Sequence, residues 1–236
     1  MLQDFINVNK RAFNKTLNNI KHVPILALVL FLSNIAMTFI MSLLSSSNQA
    51  SDFILGFIRY IVSVAFASLL VTILEDIVFY NRFSVDNLKE GFSKYLSPLM
   101  NTYFYLAIAN IILSNLAFTL KMPIILIFSI YANLVIQSTI YEQTYIARQS
   151  GIDAIVNSVK FIINNILYWI LPLVVFLLVS RAFDVYSVYS LSSIELVISA
   201  LIKGLILAFI YLYKGHLFNI LYSSSRRKRE FEGMFD

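Results

Sequence analysis

The residues best placed to do chemistry are acids that close long uncharged runs. Glu75 and Asp76 end one such run and Glu142 ends another. The carbonyl end of a helix carries partial negative charge, so a carboxylate there is disfavoured by about 0.3–1 kcal/mol. Cations nearby should offset this, and Arg82, Lys89, Arg148 and Lys160 are in reach along the chain. The spacing therefore predicts ion pairs among Glu75, Asp76, Glu142, Arg82 and Arg148 that tie a following segment to each run. The competing chemistry is a proton or cation site. Arg59 and Lys203 are different, because they lie six and seven residues inside apolar runs. Burying either at mid-membrane costs at least about 2.5–3.5 kcal/mol. At that depth the side chain can stretch to the nearer interface, pair with Asp52 or Glu195, or share an anionic ligand.

Other chemistries lack their residues. The chain has no Cys, which removes disulfides, thiolate metal sites and thiol nucleophiles together. There is no Gly-rich phosphate loop, Ser/His/Asp constellation, His–Glu zinc motif or paired-Asp pattern. His22 and His216 have no acid pattern around them that would make a metal site. No cofactor is expected, and an enzyme is the one class with no residue to recommend it.

What must position the charges is membrane-spanning helix. Of 236 residues, 59% are hydrophobic and 13% charged, against about 45–50% and about 25% in soluble domains. A bilayer core needs roughly 20 apolar residues of helix. Six runs qualify, at about 23–44, 53–75, 99–120, 122–142, 161–180 and 196–213. The first is too long for a signal-peptide core of about 7–15 residues and reads as a retained span. The expected fold is an all-α integral membrane protein, one domain over 1–222, with a basic tail at 223–236. Orientation follows from the cations. Lys10, Arg11, Lys15, Lys21, Arg82, Lys89, Lys94, Arg148, Lys160, Lys214 and the run Arg226, Arg227, Lys228 and Arg229 fall on one side, and only Lys121 and Arg181 on the other: fourteen to two. Both termini are then cytoplasmic. The segment 181–195 reads as an outer loop whose Phe183, Tyr186 and Tyr189 suit the interface.

A shift of 67 residues lays Thr72-Ile73-Leu74-Glu75 on Thr139-Ile140-Tyr141-Glu142 and Asp86 on Asp153. It also lays Val85, Leu88, Phe92, Tyr95 and Leu96 on Ile152, Ile155, Val159, Ile162 and Ile163, an apolar stripe at helical spacing in both copies. Each copy reads as a span ending in an acid, a polar joint, and a cytoplasmic amphipathic helix entering the next span. The same shift puts Phe209 where a third acid would stand. Residues 2–21 form a related element, with Leu2, Ile6, Phe13, Leu17 and Ile20 on one face and cations elsewhere, suited to the inner leaflet. On the amphipathic helices at 84–96 and 151–163, Asp86, Lys89, Lys94, Asp153 and Lys160 make a mixed-sign surface suited to docking on protein. The run Arg226, Arg227, Lys228 and Arg229 suits anionic lipid head groups, and nucleic acid is not an expected partner.

Glu142, Gly151-Ile152-Asp153-Ala154-Ile155, Ser158, Lys160 and Asn165 together resemble a short signature. It belongs to the membrane domain of some glycerophosphoryl diester phosphodiesterases and to related stand-alone six-span bacterial proteins. The likeness covers about 139–171. It implies a bacterial plasma-membrane protein; the phosphodiesterase activity belongs to a separate soluble barrel, for which no residues remain here. Ser84 stands where the second copy has Gly151.

Two function classes follow. One is an exporter permease-like, transport-type membrane subunit working with a protein partner such as an ATPase, or as a homo-oligomer. The other is a scaffold, regulator or envelope-maintenance protein that transports nothing. The orientation is testable in this Cys-free chain. Single cysteines replacing Asn48 and Ser187 should react with an impermeant thiol reagent added outside cells, and those replacing Asn87 and Ser224 only after the inner face is opened. Outside labelling at position 87 would overturn the assignment.

Overall fold

The structure, a computed structural model, describes residues 2–44, 49–189 and 193–224. Every element among them is helical: α1 (Leu2–Asn18), a short 3-10 turn (Ile20–His22), α2 (Val23–Leu44), α3 (Gln49–Tyr80), α4 (Asp86–Thr119), α5 (Pro123–Tyr145), α6 (Gly151–Tyr189) and α7 (Ser193–Ser223). Six helices, α2 to α7, are long and apolar enough to cross a bilayer. A helix satisfies its own backbone groups, which lipid cannot do. The chain is therefore a polytopic α-helical membrane protein.

Helices α3, α5 and α7 touch one another. α2 packs against α3 and α7, α4 against α3 and α5, and α6 against α5 and α7, so these three close a ring around the first three. α1 lies along α7 and α6.

The amphipathic helices expected at 84–96 and 151–163 are not separate elements. Each is continuous with the following span, in α4 and α6. The joints are still marked. Pro98 sits inside α4, where it has no N–H to give. Asn165 breaks the helical backbone of α6 (φ −123°, ψ 22°), and its side-chain amide donates to the Phe161 carbonyl at 3.0 Å, the acceptor its own N–H would use in a regular helix. These two positions are 67 apart, as are Asn81 (φ 56°) and Arg148 (φ 57°), whose left-handed backbone turns the chain after α3 and α5. The left-handed turns at Asn81 and Arg148 thus coincide at the same 67-residue shift as the residue types.

Four helices outrun their expected ends. α3 continues past 75 to Tyr80, α5 past 142 to Tyr145 and α7 past 213 to Ser223. α6 runs to Tyr189, through residues expected to form a loop, because no Gly or Pro interrupts the chain between Pro172 and Gly204. The side chains of Phe183, Tyr186 and Tyr189, like Asp52 and residues Arg226, Arg227, Lys228 and Arg229, lie outside the described residues.

Burial is concentrated at one end, the one that gathers most of the cations and is called the basic end below. There α3 is buried without a break from 70 to 78, α5 over 138–140 and 142–145, and α7 from 212 to 218. At the far end Phe39, Ile111, Phe118 and Ile124 are exposed, as lipid-facing side chains should be. The amphipathic segments also pack otherwise than their apolar stripes suggest. α1 turns Val8, Ala12 and Thr16 to the protein and leaves Ile6, Phe13, Leu17 and Ile20 exposed. α6 buries Ala154, Ser158 and Phe161, while Ile152, Val159 and Ile163 of the predicted stripe are exposed and only Ile162 is buried. In α4, Tyr95 of the stripe is buried and Val85 exposed. Small residues let helices approach closely, and lipid covers large apolar ones as well as protein does.

Gly91 shows how close that approach is. A Cβ added there would fall 2.2 Å from the Thr72 side chain of α3, and the adjacent Phe92 carbonyl accepts from Ser68 Oγ at 2.7 Å. Gly215 is similarly pressed between Tyr145 and Val78, where α7 meets α5 and α3. Replacing Gly91 by Leu should cost about 1–3 kcal/mol through overpacking, read as a lower unfolding midpoint in mild detergent. Gly56→Ala, inside α3 with nothing within 4 Å of the new methyl, should not lower the midpoint and should raise it slightly through helix propensity.

Candidate functional site: charges buried at the basic end

Among the described residues, two ion-paired acids stand at the packed end of the bundle. The first is Glu75, near the end of α3. Lys94 on α4 donates to it at 2.9 Å, and Arg148, in the turn after α5, donates to the same oxygen. The Tyr95 hydroxyl accepts from Arg148. Burial works to lower the pKa of Arg148, but Glu75 and Tyr95 outweigh it and raise it, so the guanidinium stays charged. Its left-handed backbone lets the side chain reach across to α3. Beside it, Asp76 accepts from the Asn87 amide at 3.0 Å.

The second pair is enclosed. Glu142 on α5 and Lys214 on α7 stand 3.5 Å apart with side chains 0% and 1% exposed. That distance exceeds an ordinary hydrogen bond of about 2.7–3.2 Å, and no protein group hydrogen-bonds to either charged end. Three aromatic faces surround the ammonium: Tyr211 at 4.8 Å, Phe176 at 5.2 Å and Trp169 at 5.9 Å. A cation over a desolvated ring gains up to about 2 kcal/mol. The cage is itself fixed, since the Trp169 indole donates to Ser138 on α5 at 3.1 Å.

A seam of uncharged polar side chains leads away from this pair toward the far end. Ser129, Asn133, Gln137 and Tyr141 follow one another at four-residue spacing, hence along one face of α5 over roughly 18 Å. α4 supplies Asn110 and Ser114 to the same seam. Ser129 donates to Asn110 at 3.3 Å and Gln137 to Asn133 at 2.9 Å. Between them lies a cleft of about 280 Å³.

The sequence-predicted residues are thus sorted. Glu75 and Arg148 are brought together, with Lys94, which was expected on a docking face. Glu142 goes to Lys214 rather than to Arg82 or Arg148. Arg82 is exposed, its guanidinium 5.6 Å from the Tyr80 ring. Asp86, Lys89, Asp153 and Lys160 are exposed. Arg59 is exposed on α3 and Lys203 half-buried on α7, and both interact with neighbouring groups. Lys214, Tyr95, Trp169 and the α4–α5 seam were not singled out from sequence. The i, i+4 spacing of Ser129, Asn133 and Gln137 was the signal available.

No protein-family profile, curated protein or solved structure matches the chain.

Glu75→Gln leaves Arg148 and Lys94 without their carboxylate and should cost on the order of 1–3 kcal/mol. Thermal unfolding in detergent measures it. The exposed Lys89→Ala should stay within about 0.5 kcal/mol of the parent.

Proposed function

We propose that the chain is a non-enzymatic, transport-type membrane subunit. It sits in the plasma membrane with both termini cytoplasmic. One observation carries the reading: α4 and α5 line a cleft with the polar side chains Asn110, Ser114, Ser129, Asn133 and Gln137, and the enclosed Glu142–Lys214 pair lies further along α5. Ionisable side chains inside a membrane protein are costly and typically serve a substrate or ion path. Side-chain amides and hydroxyls aligned on one helix face offer a hydrated route toward such a pair.

The chain has no nucleotide-binding motif, so energy comes from an ion gradient or a partner. Asp86 and Lys89 at the start of α4, and Asp153 and Lys160 on α6, are exposed and of mixed sign, which suits a cytoplasmic protein surface such as that of an ATPase. The resemblance of residues 139–171 to the phosphodiesterase membrane domain belongs to the same proposal. It contributes the plasma-membrane setting and no activity.

The alternative is a scaffold or envelope-maintenance protein in which the seam only holds helices together, as Ser, Asn and Gln do in other bundles. Water access separates the two. Single cysteines replacing Asn133 and Gln137 should react with a small, hydrophilic, membrane-impermeant thiol reagent in sealed vesicles, while one replacing the exposed, lipid-facing Phe128 should not. If positions 133 and 137 are as unreactive as 128, the seam is dry and the scaffold reading takes its place.

A further inference from the structure

A second cavity lies at the basic end, apart from the seam and independent of the transport reading. It is a cleft of about 430 Å³ where α1 crosses α6 and α7. Its walls are apolar: Phe13 from α1, Leu171 and Val175 from α6, Phe209 and Ile210 from α7. Phe13 and Phe209 meet edge to face, with centroids 6.0 Å apart. The rim is polar. Asn9, held by the Tyr213 hydroxyl, and the exposed Lys10 stand at its α1 side.

The surroundings define the occupant. α1 is fastened to the protein by Val8, Ala12 and Thr16, while Ile6, Leu17 and Ile20 are exposed. A helix with that division lies at the membrane–water boundary, apolar side in the acyl region. Its charge has one sign at the surface. Lys10 and Lys15 are exposed, as is Lys21 in the turn that follows, whereas its acid, Asp4, is buried and accepts from Tyr168. An apolar cleft that opens beneath a cationic rim at this depth matches one molecule already present there.

We propose that this cleft is a binding site for an anionic phospholipid, one acyl chain lying against Phe13, Val175 and Phe209 and the phosphate against Lys10. A zwitterionic lipid would fill the walls but forgo the rim. A soluble glycerol phosphate would meet the rim but forgo the walls. The site would fasten α1 to α6 and α7 through a component of the leaflet.

The test uses the full chain in mild detergent, titrated with phosphatidylglycerol, phosphatidylcholine of the same acyl chains, or glycerol phosphate. Native mass spectrometry counts bound lipid and thermal unfolding reports stabilisation. Phosphatidylglycerol should bind in preference to phosphatidylcholine and raise the unfolding midpoint, while glycerol phosphate should do neither. Lys10→Ala should weaken phosphatidylglycerol roughly five-fold, the effect of one interfacial cation, and leave phosphatidylcholine unchanged. Val175→Trp should fill the cleft and remove the bound lipid. If that variant does not fold, Lys10→Ala decides alone. Equal binding of the two lipids, or an unchanged phosphatidylglycerol affinity in Lys10→Ala, would overturn the proposal. So would full lipid occupancy in a folded Val175→Trp.

Discussion

The structure depends on one constraint: two opposite charges, Glu142 and Lys214, are shut inside the bundle and must stay together. An uncompensated buried charge costs several kcal/mol, far more than a surface pair returns. The surroundings follow from this. α5 and α7 are pressed together at Gly215, where any side chain would collide with Tyr145. α6 bends at Asn165 and delivers Trp169 and Phe176 over the ammonium. A buried pair is weak support for stability as such.

At the packed end three helices, α3, α5 and α7, meet at their charged stretches. α3 contributes Glu75, α5 contributes Glu142, and α7 contributes Lys214 from the middle of its own buried run. The first acid is satisfied by cations at the rim, and the second by the cation of the third helix. The cation of α7 thus ties α7 to α5. The far ends, by contrast, carry large apolar residues that lipid covers without protein contact. Packing is tight where charge must be enclosed and loose where the bilayer does the covering.

Much of this was legible in the sequence. Spans and class follow from hydropathy and length, because lipid leaves helices as the form open to apolar runs of that length. The repeat was legible in Thr72–Glu75 against Thr139–Glu142, and the structure adds Asn81 with Arg148 and Pro98 with Asn165 at the same shift. Partner choice was not legible. Lys214 follows an apolar run and reads as an interfacial cation, since nothing local says that α7 continues for nine more residues into a buried end. Lys94 reads as a surface charge because its target lies on another helix. The amphipathic stripes misled for a physical reason. In water the apolar face of a helix is the packing face, but beside a bilayer it can face lipid, and the small residues Ala12, Gly91, Ala154 and Ser158 mark the contact instead.

The most direct measurement is a double-mutant cycle on the enclosed pair, with Glu142→Gln, Lys214→Met and both together, followed by reversible unfolding in one detergent. The account predicts that each single change costs about 3–5 kcal/mol, because it strands a buried charge, and that the double variant recovers most of that loss. Strictly additive losses, or single changes costing less than about 0.5 kcal/mol, would contradict it, since neither charge would then depend on the other.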